Sequence, residues 1–150
     1  MVTLYLVRHA EAEATPADFD RELTPYGKEQ ARNLGNYLKT REIPLDKIIC
    51  SSAVRALTTA KLIAAPLGHT VHPDPAIYNA SLDTLVQTLK NINSTSSILL
   101  VGHNPGVTLL LNYLADTTEE SLSPCSLRII ELPADDWSSI TAHSGQIKAP

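Results

Sequence analysis

The chain has 150 residues, 43% hydrophobic and 19% charged, which is the balance of a single soluble globular domain over 1–150. Its net charge of −4 and pI near 5.7 argue against a general nucleic-acid binder, which would carry a basic surface. No segment approaches the ~20 apolar residues of a membrane helix, and the two cysteines lack zinc-type spacing. We therefore expect a cytoplasmic protein with reduced thiols and no membrane association.

The sequence predicts alternating strands and helices in the first half of the chain. An apolar run over 3–7 is typical of a buried strand, and a polar loop over 10–23 follows it. Thr24 and Pro25 suit the cap and the first position of a helix. The remaining elements of this half are a strand over 47–51, a helix over 53–67 with Ser52 as its cap, and a short strand over 70–72.

The second half continues the alternation and ends in two strands. A helix is predicted over 81–91, the clearest buried strand over 97–102, and a helix opened by Asn104 and Pro105 that runs to about residue 115. After a polar loop, the final strands are predicted over 127–132 and 137–143. This order predicts an α/β fold, with a mainly parallel sheet covered by helices on both faces and an antiparallel edge.

Unusual polar residues stand at three of the predicted strand ends. Arg8 and His9 follow the first strand, Arg55 lies in the first turn of the helix after the second strand, and His103 and Asn104 follow the fourth. In open α/β sheets, ligands bind outside the carboxyl ends of the strands, so we expect these side chains to meet at one edge. A cation in the first turn of a helix is disfavoured unless an anion binds there, which marks Arg55 as part of an anion site.

Two arginines and two histidines without a carboxylate cluster suit a phosphoryl group. Dianionic phosphate needs fixed positive donors whose hydrogen bonds strengthen as charge develops on its oxygens. A neutral histidine can act as the nucleophile on phosphorus and divide hydrolysis into two displacements. The residues therefore predict a phosphate pocket, in which one histidine attacks phosphorus and the other side chains hold the oxygens.

Three motifs carry a resemblance to a known family. LVRHAEA, at 6–12, resembles the RHG motif of the histidine phosphatase superfamily, whose fold is phosphoglycerate-mutase-like. SSAVRALTTA matches the S-x-x-x-R-A-x-x-T-A segment of that family, and VGHNPG resembles its later G-H motif. The short length, together with RHAEA, FDRELTPYG and GHNPG, looks most like the small SixA-type phosphohistidine phosphatases.

The resemblance implies a three-layer α/β/α sandwich, no metal or other cofactor, and His9 as the phosphorylated nucleophile. It also implies that Arg8, Arg55 and His103 complete the phosphate pocket, and Asn104 is a further candidate for substrate binding. The implied activity is hydrolysis of phosphohistidine on a partner protein, with inorganic phosphate as product. A small-molecule phosphomonoesterase of the same superfamily, or a phosphate-binding module with little turnover, is the alternative.

Two departures from the family motifs concern the site. Ala10 stands where the RHG motif has glycine. Larger members place a Glu or Asp in the segment after the third strand. That region reads PAIYNASLDTL here, and its one acid, Asp83, has an ordinary place in the first turn of a helix. The general acid is therefore unassigned. A phosphoramidate is favoured over an alkyl phosphate, because protonated imidazole leaves readily.

Other chemistries have less support from the residues. A cysteine phosphatase needs C-x5-R, but four residues separate Cys50 from Arg55, and the thiol falls within a predicted buried strand. His69, His72 and His143 offer a weak metal site, because no carboxylate accompanies the H-x-x-H pair. Phosphoglycerate mutase activity is disfavoured because the chain is short for the insertions that enclose that substrate.

The loop over 10–23 carries five acids and one cation, Arg21. Long loops in compact domains are often functional, and this one begins at the predicted pocket. We predict that Arg21 leans over the pocket and helps to hold an incoming phosphorylated protein. The acids of the loop would repel small, highly charged phosphates.

Overall fold

The computed structural model describes residues 1–93 and 95–150, and its elements follow the predicted alternation. The strands are β1 (Val2–Arg8), β2 (Lys47–Ser51), β3 (Val71–Asp74), β4 (Ser97–Gly102), β5 (Leu127–Leu132) and β6 (Gln146–Lys148). The α-helices are α1 (Pro25–Thr40), α2 (Val54–Ala64), α3 (Leu82–Lys90) and α4 (Gly106–Ala115). Within the described residues, no helix combines the length and the apolar character that crossing a bilayer requires.

The strands form one mixed sheet in the order β3-β2-β4-β1-β5-β6. Neighbours from β3 to β1 are parallel, and the pairs β1–β5 and β5–β6 are antiparallel. The prediction of a mainly parallel sheet with an antiparallel edge is confirmed.

Helices cover both faces of this sheet. α3 and α4 pack against the face that carries Leu4 and Leu6, whereas α1 and α2 pack against the face that carries Tyr5 and Val7. Successive side chains of a strand point to opposite faces, so a strand buried on both sides must be apolar at consecutive positions. The apolar runs of β1 and β4 meet this requirement, and the three-layer α/β/α sandwich is confirmed.

The predicted start of α1 is correct and fixes the end of the long loop. Thr24 Oγ1 accepts a hydrogen bond from the N–H of Gly27 at 2.9 Å, and Pro25 is the first helical residue. A Cβ at Gly27 would lie 2.0 Å from the carbonyl oxygen of Glu11. Glycine therefore lets the chain just after β1 pack directly on the first turn of α1.

The predicted cap of α2 is wrong. Ala53, not Ser52, occupies the cap position, and no side chain accepts a hydrogen bond there. The N–H of Ala53 instead donates to Oγ of Ser51 at 3.1 Å. The α-helix ends at Ala64 and continues as a short 3-10 turn over Ala65–Leu67. α4 likewise begins at Gly106, two residues after its predicted opening.

The strand predicted over 137–143 is also wrong. Asp136 caps a 3-10 helix over Trp137–Ser139. Trp137 and Ile140 are buried three residues apart, which is the spacing of a turn rather than of a half-buried strand. The last strand is the exposed β6 instead, which pairs with β5.

Candidate functional site

The register of the sheet brings the predicted site residues together. Arg8 is opposite Gly102 in the β1–β4 pair, and the N–H of His9 donates to the carbonyl of Gly102 at 3.0 Å. β2 lies on the other side of β4, so its last residue, Ser51, ends at the same edge. The rings of His9 and His103 meet there, with 5.2 Å between their centroids.

His9 is held as a neutral ring with one nitrogen available. Its Nδ1 lies 2.8 Å from the carbonyl oxygen of Ala10, so Nδ1 carries the proton and donates it, and Nε2 keeps its lone pair. The residue is 7% exposed. Burial, reinforced by the charges of Arg55 and Arg8, lowers the pKa of His9 to about 4. At neutral pH the ring is therefore uncharged, as the predicted nucleophile must be.

His103 is also neutral, with its proton on the opposite nitrogen. Its Nε2 lies 2.7 Å from Oγ of Ser51. That oxygen accepts the N–H of Ala53, and among the described residues Nε2 is the one acceptor within reach of the Ser51 hydroxyl, so we infer that the hydroxyl donates to Nε2. Burial, and then the charge of Arg55, lowers the pKa of His103 to about 3. The single ring proton is thus on Nδ1, which is buried and has no hydrogen-bond partner.

Arg55 lies in the uncapped first turn of α2 and is 4% exposed. Its two terminal nitrogens donate to the Asp18 backbone carbonyl at 2.7 Å and to the Asp18 carboxylate at 3.2 Å. Its Nε is buried and has no partner. The guanidinium is therefore fixed through its two terminal nitrogens, while its buried Nε–H has no acceptor.

Arg8 is fixed in a similar way by the loop before β5. Its Nη1 donates to the carbonyl of Leu122 at 2.9 Å, and its buried Nε has no partner. The N–H of Cys125 donates to the carbonyls of Arg8 and His9 at 2.9 and 3.2 Å. The polar loop over 116–126 therefore forms one wall of the site, which the sequence pattern did not indicate.

Thr59 connects the end of β1 to α2. Its buried hydroxyl accepts the N–H of Ala10 at 3.0 Å and donates to the carbonyl of Arg55 at 2.7 Å. One side chain thus ties the backbone beside His9 to the backbone of Arg55. Thr59 belongs to the SSAVRALTTA motif, but the sequence alone did not reveal this role.

The loop over 10–23 places the carboxylate of Asp18 at the site, and the sequence did not predict this contact. Asp18 Oδ2 accepts from the Tyr78 hydroxyl at 2.6 Å and from Arg55. Arg21 donates to Asp18 Oδ1 at 3.3 Å and to the carbonyl of Glu13 at 2.7 Å. The Tyr78 hydroxyl, followed by the two arginines, lowers the pKa of Asp18 to about 2. Asp18 is therefore ionised at neutral pH in the free protein.

The amide of Asn104 contacts the neighbouring loop. Its Nδ2 donates to Ser121 Oγ at 2.8 Å and to the Leu122 carbonyl at 2.9 Å, which uses both N–H groups. Its Oδ1 accepts from the Thr108 hydroxyl at 2.7 Å. These contacts position the segment that holds Arg8, and substrate binding by Asn104 stays a prediction.

The alternative chemistries gain no geometric support. Burial raises the pKa of Cys50 to about 12, so this thiol is not the thiolate that a cysteine phosphatase requires. Among residues 1–93 and 95–150, no three His, Cys, Asp or Glu side chains gather as a metal site would need. Asp83 is exposed in the first turn of α3.

Comparison with known proteins gives both a family and a fold. Residues 4–84, just over half of the chain, match the family model of the histidine phosphatase superfamily (branch 1). An uncharacterized protein of Mycobacterium leprae is 34% identical over 94 residues, 61% of this chain and 56% of that protein. The chain therefore spans little more than half the length of that relative.

Two solved structures are similar over most of their length. The protein histidine phosphatase SixA in complex with tungstate superposes with a TM-score of 0.84 at 19% identity, over 99% of this chain and 95% of that chain. A structure assigned to the phosphohistidine phosphatase SixA of Agrobacterium tumefaciens has a TM-score of 0.79 at 26% identity. The match covers 87% of this chain and 92% of that chain. The predicted family resemblance and the fold that it implied are both confirmed.

Proposed function

The chain belongs to the histidine phosphatase superfamily (branch 1), and on that premise we propose that it is a phosphatase that acts through a phosphohistidine intermediate on His9. The substrate that we propose is phosphohistidine carried by a partner protein. The observation that carries the proposal is a set of buried hydrogen-bond donors that the fold leaves without an acceptor.

Three such donors belong to the site: Nε of Arg8, Nε of Arg55 and Nδ1 of His103. In the described residues only one other buried side-chain atom, Oγ1 of Thr95, is unpaired in this way. Buried polar groups are nearly always paired, because an unpaired one costs about 1–3 kcal/mol. Three unpaired donors on residues that meet at one edge support a ligand with several acceptor oxygens, as a phosphoryl group has.

The proposed reaction is two displacements at phosphorus. Nε2 of His9 attacks phosphorus, the bond from phosphorus to the substrate nitrogen breaks, and the leaving imidazole keeps a proton. Water then attacks the phosphohistidine, the bond to Nε2 breaks, and inorganic phosphate leaves with a proton lost to solvent. Throughout, Nδ1–H of His9 donates to the Ala10 carbonyl, which stabilises the positive charge that the ring gains on phosphorylation.

The leaving group is the basis for proposing phosphohistidine. Asp18 is ionised at neutral pH, and Asp83 is exposed on α3. Neither carboxyl group is suited to protonate an alkoxide. A protonated imidazole needs no such acid. The likeness to SixA structures supports the same substrate, whereas an alkyl phosphomonoesterase would need a proton donor from elsewhere.

The test is a comparison of two phosphoproteins with one enzyme. A phosphohistidine protein and a phosphoserine protein are incubated with the wild type, with His9→Ala and with His72→Ala, which changes an exposed histidine. We expect phosphate release from phosphohistidine with the wild type and with His72→Ala, and none with His9→Ala. A rapid quench should trap an acid-labile, base-stable phosphoenzyme.

Each alternative gives a different result in this experiment. Faster hydrolysis of phosphoserine, or of small phosphate esters, would favour a phosphomonoesterase of the same superfamily. Tight phosphate binding without turnover of any substrate would favour a binding module. A phosphoenzyme that persists in His9→Ala would refute the assignment of the nucleophile.

A further inference from the structure

Arg55 already has an anionic partner in the folded protein. The Asp18 carboxylate lies 3.2 Å from one terminal nitrogen of Arg55, and the Asp18 carbonyl lies 2.7 Å from the other. Arg55 is almost completely buried, whereas the Asp18 side chain is 49% exposed. The ion pair thus joins a fixed cation of the site to a carboxylate at its surface.

Other contacts keep that carboxylate in place. The Tyr78 hydroxyl donates to Asp18 Oδ2 at 2.6 Å, and Arg21 donates to Oδ1. Phe19 packs edge-on against the Tyr78 ring, with 5.2 Å between centroids, and Tyr78 packs edge-on against His103. The short 3-10 helix over Asp18–Asp20 is therefore attached to the site at several points. The carboxylate does not depend on Arg55 alone for its position.

This placement has an electrostatic consequence for any anion that binds between the arginines and histidines. Two N–H groups of Arg55 are already engaged by Asp18, and its charge is partly neutralised. An incoming phosphate dianion would also meet the negative charge of the carboxylate at short range. Repulsion of this kind in a partly solvated site changes affinity by severalfold rather than by many orders of magnitude.

We infer that Asp18 is a specificity residue, a resident counter-ion of Arg55 that weakens the binding of free phosphate and of small phosphate esters. The inference rests on the proposed function, because it takes the donor cluster to be the phosphate site. A phosphoryl group on a protein can offset this repulsion through contacts made by the rest of the partner. Weak binding of inorganic phosphate also favours release of the product.

The test is direct binding of inorganic phosphate, which needs no turnover. Titration calorimetry at low ionic strength compares the wild type, Asp18→Asn, Asp20→Asn and Arg55→Ala. Asp18→Asn removes the charge and keeps an amide that can still bond to Tyr78. Asp20→Asn is the matched control, because it removes the same charge from the same 3-10 helix, and Asp20 forms no salt bridge in the described residues.

We expect Asp18→Asn to bind phosphate about 3- to 10-fold more tightly than the wild type, with a change below about 2-fold in Asp20→Asn. Equal affinities in the two variants, or weaker binding by Asp18→Asn, would overturn the inference while leaving the phosphate site intact. If neither the wild type nor Asp18→Asn bound phosphate, the site itself would be refuted. Loss of binding in Arg55→Ala locates the measured anion at this site.

Discussion

At the scale of single residues, Ser51 determines which nitrogen of His103 carries the proton. Its hydroxyl lies 2.7 Å from Nε2 and donates to it, so the proton of the neutral ring is on Nδ1, where a phosphate oxygen can accept it. We expect Ser51→Ala to leave the tautomer unspecified. Phosphatase turnover should then fall about tenfold, less than the ~100-fold expected when a preorganised donor is lost outright.

Nitrogen chemical shifts of the His103 ring distinguish this role from a general loss of structure. The wild type should show the Nδ1–H form alone, and Ser51→Ala should show both neutral forms. Ser52→Ala is the matched control, because Ser52 does not cap α2 and is not bonded to His103 in the structure. A single Nδ1–H form in Ser51→Ala would contradict the role assigned to the Ser51 hydroxyl.

At the scale of elements, one hydroxyl couples β1 to α2. Thr59 accepts the N–H of Ala10 and donates to the carbonyl of Arg55, and it is fully buried. Thr59→Val keeps the shape but leaves the Ala10 N–H without an acceptor. We expect urea unfolding to show a loss of about 1–3 kcal/mol, together with reduced turnover because His9 and Arg55 are no longer tied together.

The neighbouring threonine provides the control for this prediction. Thr58→Val makes the same chemical change at a half-buried position on α2, and its effect on unfolding should stay below about 0.5 kcal/mol. If both valine variants lost the same stability, the cost would come from valine in the helix rather than from the bond to Ala10.

The loop over 10–23 is the second element whose role can be tested. Arg21 is bonded to Glu13 and Asp18, within the segment that reaches Arg55. We still expect Arg21→Ala to lower kcat/KM for a phosphoprotein more than for a small aryl phosphate, because the role proposed for Arg21 is to help hold an incoming phosphorylated protein. Both substrates are measured at one ionic strength, since surface charges are screened by salt. Equal losses would instead place Arg21 inside the phosphate pocket.

Local patterns in the sequence account for what could be predicted at this scale. Apolar runs predict the buried strands, and Thr24 with Pro25 predicts the start of α1, because these signals act between neighbouring residues. β6 was missed because all three of its residues are exposed and leave no apolar pattern. Asp18 was missed because it reaches Arg55 and Tyr78, 37 and 60 residues away, through the folded loop.

At the scale of the whole molecule, two buried neutral histidines make folding sensitive to acid. His9 and His103 are each 7% exposed, and their pKa values are lowered, chiefly by burial, to about 4 and about 3. In the unfolded chain a histidine has a pKa of about 6.5. Below this pH the unfolded chain binds protons that the native protein excludes. The free energy of unfolding therefore falls as the pH falls, and the effect is absent above about pH 7.

We expect each buried histidine to lower the free energy of unfolding by up to about 1.4 kcal/mol as the pH falls by one unit from pH 6 to pH 5. Urea unfolding of the wild type at pH 7, 6 and 5 measures this slope. Asp18 does not contribute in this window, because its pKa of about 2 in the native state and its ordinary value of 3.8 both lie below it.

Replacing one histidine at a time tests which groups cause the slope, that is, the change in the free energy of unfolding with pH. His103→Gln removes one of the two buried rings and should lose about half of the slope between pH 7 and pH 5. His72→Gln changes an exposed ring and should keep the slope of the wild type. The comparison uses slopes rather than absolute stabilities, because His103→Gln also loses the bond to Ser51 at every pH. Equal slopes in all three proteins would mean that the acid sensitivity arises from groups outside the site.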